Sequence, residues 1–185
     1  MKQKSFFSEN GYEIVKLIVT HLCLSIFGIM VSIPFDAENV SGRFFCLGLG
    51  ICAVLLYAYL IYTQIWEIGA RDGINVRAGS RKNTPLRGLA IALTASILDF
   101  LLGGAYTILY YYQAYSPALS NASIVVGLVT SLWEGVYLGI WRAAFHSFPI
   151  YFVFAPLFPI LVAEGAYLLG LRDFKLFRKA PHKGT

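Results

Sequence analysis

Four ionisable side chains stand inside or at the edge of long apolar runs: His21, Glu67, Asp99 and Glu164. Such groups are costly in hydrocarbon and are kept where they face protein or water. A carboxylate at mid-depth, others nearer one face, and a histidine able to change charge near neutral pH make a polar path or a cation site. The competing reading is structural: each carboxylate is protonated or paired and ties two helices together. Asp99 carries the functional reading best, because an isolated acid near the bilayer midplane is the costliest placement. At about 1.5 Å per helical residue, His21 and Glu164 lie roughly 10 Å in from the cytoplasmic ends of their helices. Glu67 falls at the cytoplasmic edge. His21, Glu67 and Glu164 could therefore share one inner-half layer, with Arg71 or Arg87 as countercharges. No second acid stands one turn from these on its own helix, so no carboxylate cage for a divalent ion is expected. No His/Cys group has zinc spacing. Neither a metal nor a cofactor is predicted.

Glu134 and Arg142 form a second candidate set, eight residues apart in the chain and on one helical face. They could bound an outer polar patch or meet partners on other helices, or simply be the wet edge of an interfacial helix. A third set is the basic cluster Arg71, Arg77, Arg81, Lys82 and Arg87. Each such residue near a surface attracts anionic lipid headgroups by about 1 kcal/mol. The competing readings of the same cluster are an orienting loop and a docking site for a soluble partner. Gly69-Ala70-Arg71-Asp72-Gly73 reads as turn-rich, with Arg71 and Asp72 a candidate pair. Motifs for acyl transfer, zinc proteolysis and nucleotide phosphate binding are absent, and no lysine lies within a span. The cysteines Cys23, Cys46 and Cys52 lack CxxC spacing and read as small buried apolar residues.

The elements that would position these groups follow from composition. Of 185 residues, 57% are hydrophobic and 14% charged, against roughly 25% charged in soluble domains. With several apolar runs near 20 residues long, the chain reads as one polytopic membrane domain. Spans are predicted at residues 14–33, 44–66, 86–112 and 148–170. Thr84-Pro85 supplies a helix start for the third, and Pro156 and Pro159 predict a kink in the last. Between the second and third lies the charged loop 67–87, and after the last comes the basic tail 171–185. Residues 124–145 have a helical period, with Val125, Val129, Leu132 and Val136 on one face and Thr130 and Glu134 on the other. Gly127, Ser131, Gly135, Gly139 and Ala143 recur at every fourth position, a row that lets another helix approach closely.

Charge decides the topology. Residues 1–16 carry +1, 34–43 carry −1, 68–88 carry +4 and 171–185 carry +4. The positive-inside rule puts the first, third and fourth of these on one side, which requires an even number of crossings. The expected fold is therefore an all-α membrane bundle with four crossing helices and cytoplasmic termini. Residues 124–145 become an outer-side helix, membrane-embedded or interfacial, that does not cross. The net charge of +5 is accounted for by cytoplasmic loops, so nucleic acid is not expected as a partner. The chain carries no motif of a named family. Its size and short loops resemble small multi-pass proteins of bacterial plasma membranes, which implies the bacterial inner membrane as its location. The first functional expectation is a non-catalytic subunit or scaffold that binds other membrane proteins, or itself, through its small-residue face, with the bilayer and anionic lipids as further partners. The alternative is a small oligomeric transporter or ion-conducting protein using Asp99 and the inner layer.

Overall fold

The structure is a computed structural model that describes residues 6–35, 39–80, 82, 84–145 and 148–174. Arg81 and the tail from residue 175 lie outside the described residues. Among these residues the regular elements are all helical. Three helices are long and apolar enough to cross a membrane: Phe6–Ser32 (α1), Val40–Arg77 (α2) and the stretch Tyr151–Leu171. That last stretch divides at Pro156, as its prolines predict, into α7 (Tyr151–Phe154) and α8 (Leu157–Leu171). Two bent pairs pass the same test. One is α3 (Arg87–Ala95) with α4 and its terminal turn (Ile97–Tyr115), bent by 48°; the other is α5 (Pro117–Trp133) with Gly135–Phe145, bent by 80°.

The charged break is not a loop of turns. α2 runs without interruption through Gly69, Asp72 and Gly73 to Arg77, where Gly79, at φ 71°, ends it. Gly69 and Gly73 are there for contact. A Cβ at either would strike the backbone of α8, at the carbonyls of Tyr167 and Leu171, and Gly170 presses back on the Trp66 carbonyl. Three glycines thus bring α2 and α8 to backbone contact. At 1.5 Å per residue a helix of 38 residues is about 57 Å long, well beyond the ~30 Å hydrocarbon core. Ile61, Ile65, Ile68, Ala163 and Ala166 bury this seam.

The two bent pairs differ from expectation. Residues 86–112 were to form one helix, but it breaks at Ser96, three residues before Asp99. Residues 124–145 were to form another, but it starts at Pro117 and ends at Trp133. A turn at Gly135–Tyr137, a short α6 (Leu138–Ile140) and a widened turn Trp141–Phe145 follow. Two contacts trace the path of this segment. The Trp133 carbonyl reaches His21 midway along α1, and Arg142 reaches the Ser32 and Phe35 carbonyls at the end of α1. So the chain dips from the Tyr112 end of the bundle to its middle and returns to the Ser32 end. Its small and polar face is turned toward the bundle. Val125, Val129 and Leu132 are exposed, while Gly127, Thr130 and Glu134 are buried. Along with exposed Val15, Ile26, Met30, Leu101 and Leu161, these make an apolar exterior suited to lipid and not to water.

Candidate functional site

In α1 the buried residues Ile14, Leu17, His21, Leu24, Ser25, Gly28 and Ser32 follow a helical stripe facing the bundle. His21 is therefore inward by register. α5 ends opposite it, leaving the last carbonyls of that helix without intrahelical partners. The Trp133 carbonyl accepts from His21 Nε2 at 2.9 Å and from Ser25 Oγ. Since a carbonyl only accepts, Nε2 holds the imidazole proton, and Nδ1 accepts from the Tyr57 hydroxyl at 3.0 Å. The Tyr57 and Trp133 rings flank the imidazole at 5.4 and 5.5 Å.

Asp99 enters from the first turn of α4, positioned by the break at Ser96. Its Oδ1 accepts from Trp133 Nε1 at 2.6 Å and lies 3.9 Å from His21 Nε2. Glu134 enters from the break after α5. The chain packs closely against α1 at that break: a side chain at Gly135 would meet the Ser25 carbonyl and the Ile29 side chain. Glu134 is 0% exposed, and neither carboxylate oxygen has a hydrogen-bond partner. One ligand atom from each of His21, Asp99 and Glu134 lies within 4.8 Å of the others. A cavity of about 20 Å³ adjoins the cluster, bounded by Leu17, Tyr57, Ala92, Ser96 and Pro159 as well as by His21 and Asp99. It has room for one water-sized occupant. Two carboxylates and an imidazole lie together in an apolar interior, where a buried carboxylate without a hydrogen-bond donor needs a proton or a cation beside it.

The remaining sequence candidates go elsewhere. His21 does not share a layer with Glu67 and Glu164. Glu67 is exposed, and Glu164 Oε2 accepts from the Leu89 backbone N–H at 2.7 Å, satisfying a free donor at the start of α3. Glu134 and Arg142 do not share a patch either. Arg142 caps the end of α1 through two carbonyls, at 2.8 and 3.2 Å. Arg71 pairs with Glu13 at 3.0 Å, not with Asp72. Arg77 donates to the Leu171 carbonyl at 3.3 Å, and Lys82 is exposed. In the small-residue row, Gly127 lies against the Tyr106 ring, Gly135 against α1, and Gly139 against Cys46 and Gly50 of α2. Ala143 is buried and Ser131 half-buried.

A second polar centre, at the Asn10 end of α1, was not anticipated as a unit. Arg87 Nη1 donates to both Asp72 oxygens at 2.8 and 2.6 Å, and its Nε and Nη2 donate to Asn10 Oδ1 at 2.9 and 2.6 Å. The Tyr167 hydroxyl donates to Asp72 Oδ2 at 2.8 Å, and Asn10 Nδ2 donates to the Phe6 carbonyl at 3.0 Å. Among the described residues, the guanidinium and the carboxylate there each have partners. One signal for the mid-depth partnership does exist in the sequence: Glu134 is the one ionisable residue between Asp99 and Arg142, tyrosines apart. Comparison with known protein families, with curated proteins and with solved structures yields no match.

Proposed function

We propose that this chain is a four-crossing membrane protein that binds a small cation at His21, Asp99 and Glu134 and carries it across the bilayer. The observation behind this is Glu134, fully buried, without a hydrogen-bond partner, and facing a second acid and a histidine. Two further features support the reading. Both acids sit at helix breaks, after Ser96 and after Trp133, and broken helices at mid-depth are how transporters build ion sites. The Trp133 carbonyl also presents the negative end of the α5 dipole to the site.

The proposed topology has α1, α2, the α3–α4 pair and the α7–α8 stretch as crossings, with residues 117–145 as a re-entrant hairpin. The dip to His21 and the return to Ser32 support this, as does the basic cluster at the opposite end, which the positive-inside rule assigns to the cytoplasm. Both termini are then cytoplasmic, and a bacterial plasma membrane is the proposed location. The scaffold reading loses its specific face, since Gly127, Gly135 and Gly139 are filled by neighbours within the chain. A hydrolytic reading lacks a nucleophile, since Ser25 donates to the Trp133 carbonyl instead of to His21. The proposed partners are the bilayer, anionic lipids at Arg77 and Lys82, and further copies of the chain.

The test is cation flux into liposomes containing the purified protein. Flux is expected in the wild type and is expected to vanish in Asp99→Asn and Glu134→Gln while both remain folded. Undiminished flux in both variants would remove the reading.

A further inference from the structure

We infer that His21, Asp99 and Glu134 bind one divalent first-row metal ion, with the Trp133 carbonyl as a fourth donor. This rests on the cation reading above and narrows it. Charge is the first argument. Two carboxylates in a low-dielectric interior leave a charge of −2, and one divalent ion cancels it with the imidazole neutral. A monovalent ion reaches neutrality only together with a proton on Glu134 or His21, whereas a divalent ion needs none. Donor type is the second. Imidazole with carboxylates suits manganese, iron and zinc, whereas calcium and magnesium favour all-oxygen sites and copper(I) favours thiolates. Cys46, near the Ser32 and Phe35 carbonyls, belongs to the other end of α1.

Geometry is the third argument. Metal–ligand bonds near 2.1 Å put donors about 3.4 Å apart in a tetrahedral site, so the 3.9 Å from His21 Nε2 to Asp99 Oδ1 closes by about 0.5 Å on binding. Glu134 can swing in without losing a hydrogen bond, because it makes none. The outer layer is already built. Trp133 Nε1 holds Asp99 Oδ1, and Tyr57 stands at His21 Nδ1; ligating residues are typically oriented by such contacts. Binding at Nε2 requires the other imidazole tautomer. The proton now on Nε2 leaves, one is taken up at Nδ1, and the Tyr57 hydroxyl turns from donor to acceptor. The proton count of His21 does not change.

The experiment uses the full-length protein in detergent, stripped with chelator and titrated with Mn²⁺ followed by electron paramagnetic resonance. Circular dichroism and gel filtration verify the fold of each variant. One ion per chain is expected. Glu134→Gln should weaken binding by at least about 100-fold, and Tyr57→Phe by about 10–100-fold at unchanged stoichiometry. No stoichiometric uptake by the wild type, or equal affinity in Glu134→Gln, would overturn the metal site. Glu134-dependent flux of protons or sodium in liposomes without metal uptake would overturn the metal and keep the carrier. Stoichiometric metal binding without flux of any cation would keep the site and overturn the carrier.

Discussion

At the Asn10 end of the bundle Arg87 meets Asp72 and Asn10, Tyr167 meets Asp72, and both Asp72 oxygens are taken. About 16 Å along α1 from Asn10, His21 meets Asp99 beside a Glu134 whose two oxygens have no donor. Both centres are buried and both draw their side chains from several helices. They differ in what is left over. Among the described residues the Arg87 centre pairs one guanidinium with one carboxylate and hydrogen-bonds both its oxygens, which is how a buried charge becomes a strut. The mid-depth centre has two acids and, among the described residues, no fixed cation, and every hydrogen bond in it orients a group without neutralising Glu134. One region holds the helices together, and the other holds an open valence.

The contrast breaks most severely at Asp72. Asp72→Ala strands a guanidinium that is 12% exposed, and removing one member of a buried pair costs about 3–5 kcal/mol. The thermal midpoint of the detergent-solubilised protein should fall sharply, and the double change Asp72→Leu with Arg87→Met should recover most of the loss. A single variant as stable as the wild type would mean that this centre is no strut.

A smaller effect separates the inner seam from the free surface. Gly69→Ala drives a methyl into the Tyr167 carbonyl, whereas a Cβ at Gly165 meets nothing within 4 Å. The first should lose about 1–3 kcal/mol through overpacking, and Gly165→Ala should gain up to about 1 kcal/mol from helix propensity. Equal midpoints for the two would contradict the close approach of α2 and α8.

These sites also mark where sequence reasoning reached and where it stopped. Apolar runs and sparse charge announce helices able to cross a membrane, and Asp99 and His21 stand out because ionisable groups are rare in them. The meaning of Gly69 and Gly73 does not stand out, since glycine serves a turn and a close contact equally well, and only the presence of α8 decides between them. The break at Ser96 is invisible for a related reason: Thr94-Ala95-Ser96 holds neither proline nor glycine. Residues 124–145 were legible as amphipathic but not in which direction. In water the apolar face turns inward; surrounded by lipid it can turn outward, and Thr130 and Glu134 then face the core. Reading Glu134 with Arg142 followed from their shared place on the polar face. The pairing of Asp99 with Glu134 across separate helices is a tertiary fact that no spacing along one helix encodes.

The finest test of the contrast is the sign of Glu134→Gln in metal-free buffer. The substitution keeps the shape of the side chain and removes the possibility of charge. Were Glu134 a strut like Asp72, losing its charge would unpair a partner and destabilise the protein by several kcal/mol. Because neither oxygen has a partner, nothing is stranded, and the desolvation that opposes its charged form is relieved. The midpoint should therefore stay within about 1 kcal/mol of the wild type and move upward. Asp99→Asn is the internal control, since its Oδ1 accepts from Trp133 Nε1 and an amide oxygen keeps that bond only in one of two orientations. A fall of several degrees for Glu134→Gln, equal to that of Asp72→Ala, would give Glu134 a structural partner and merge the two centres into one kind. A flat or rising midpoint with cation binding lost would show an acid held in the core at no gain to stability, which leaves binding as the physical reason for its presence.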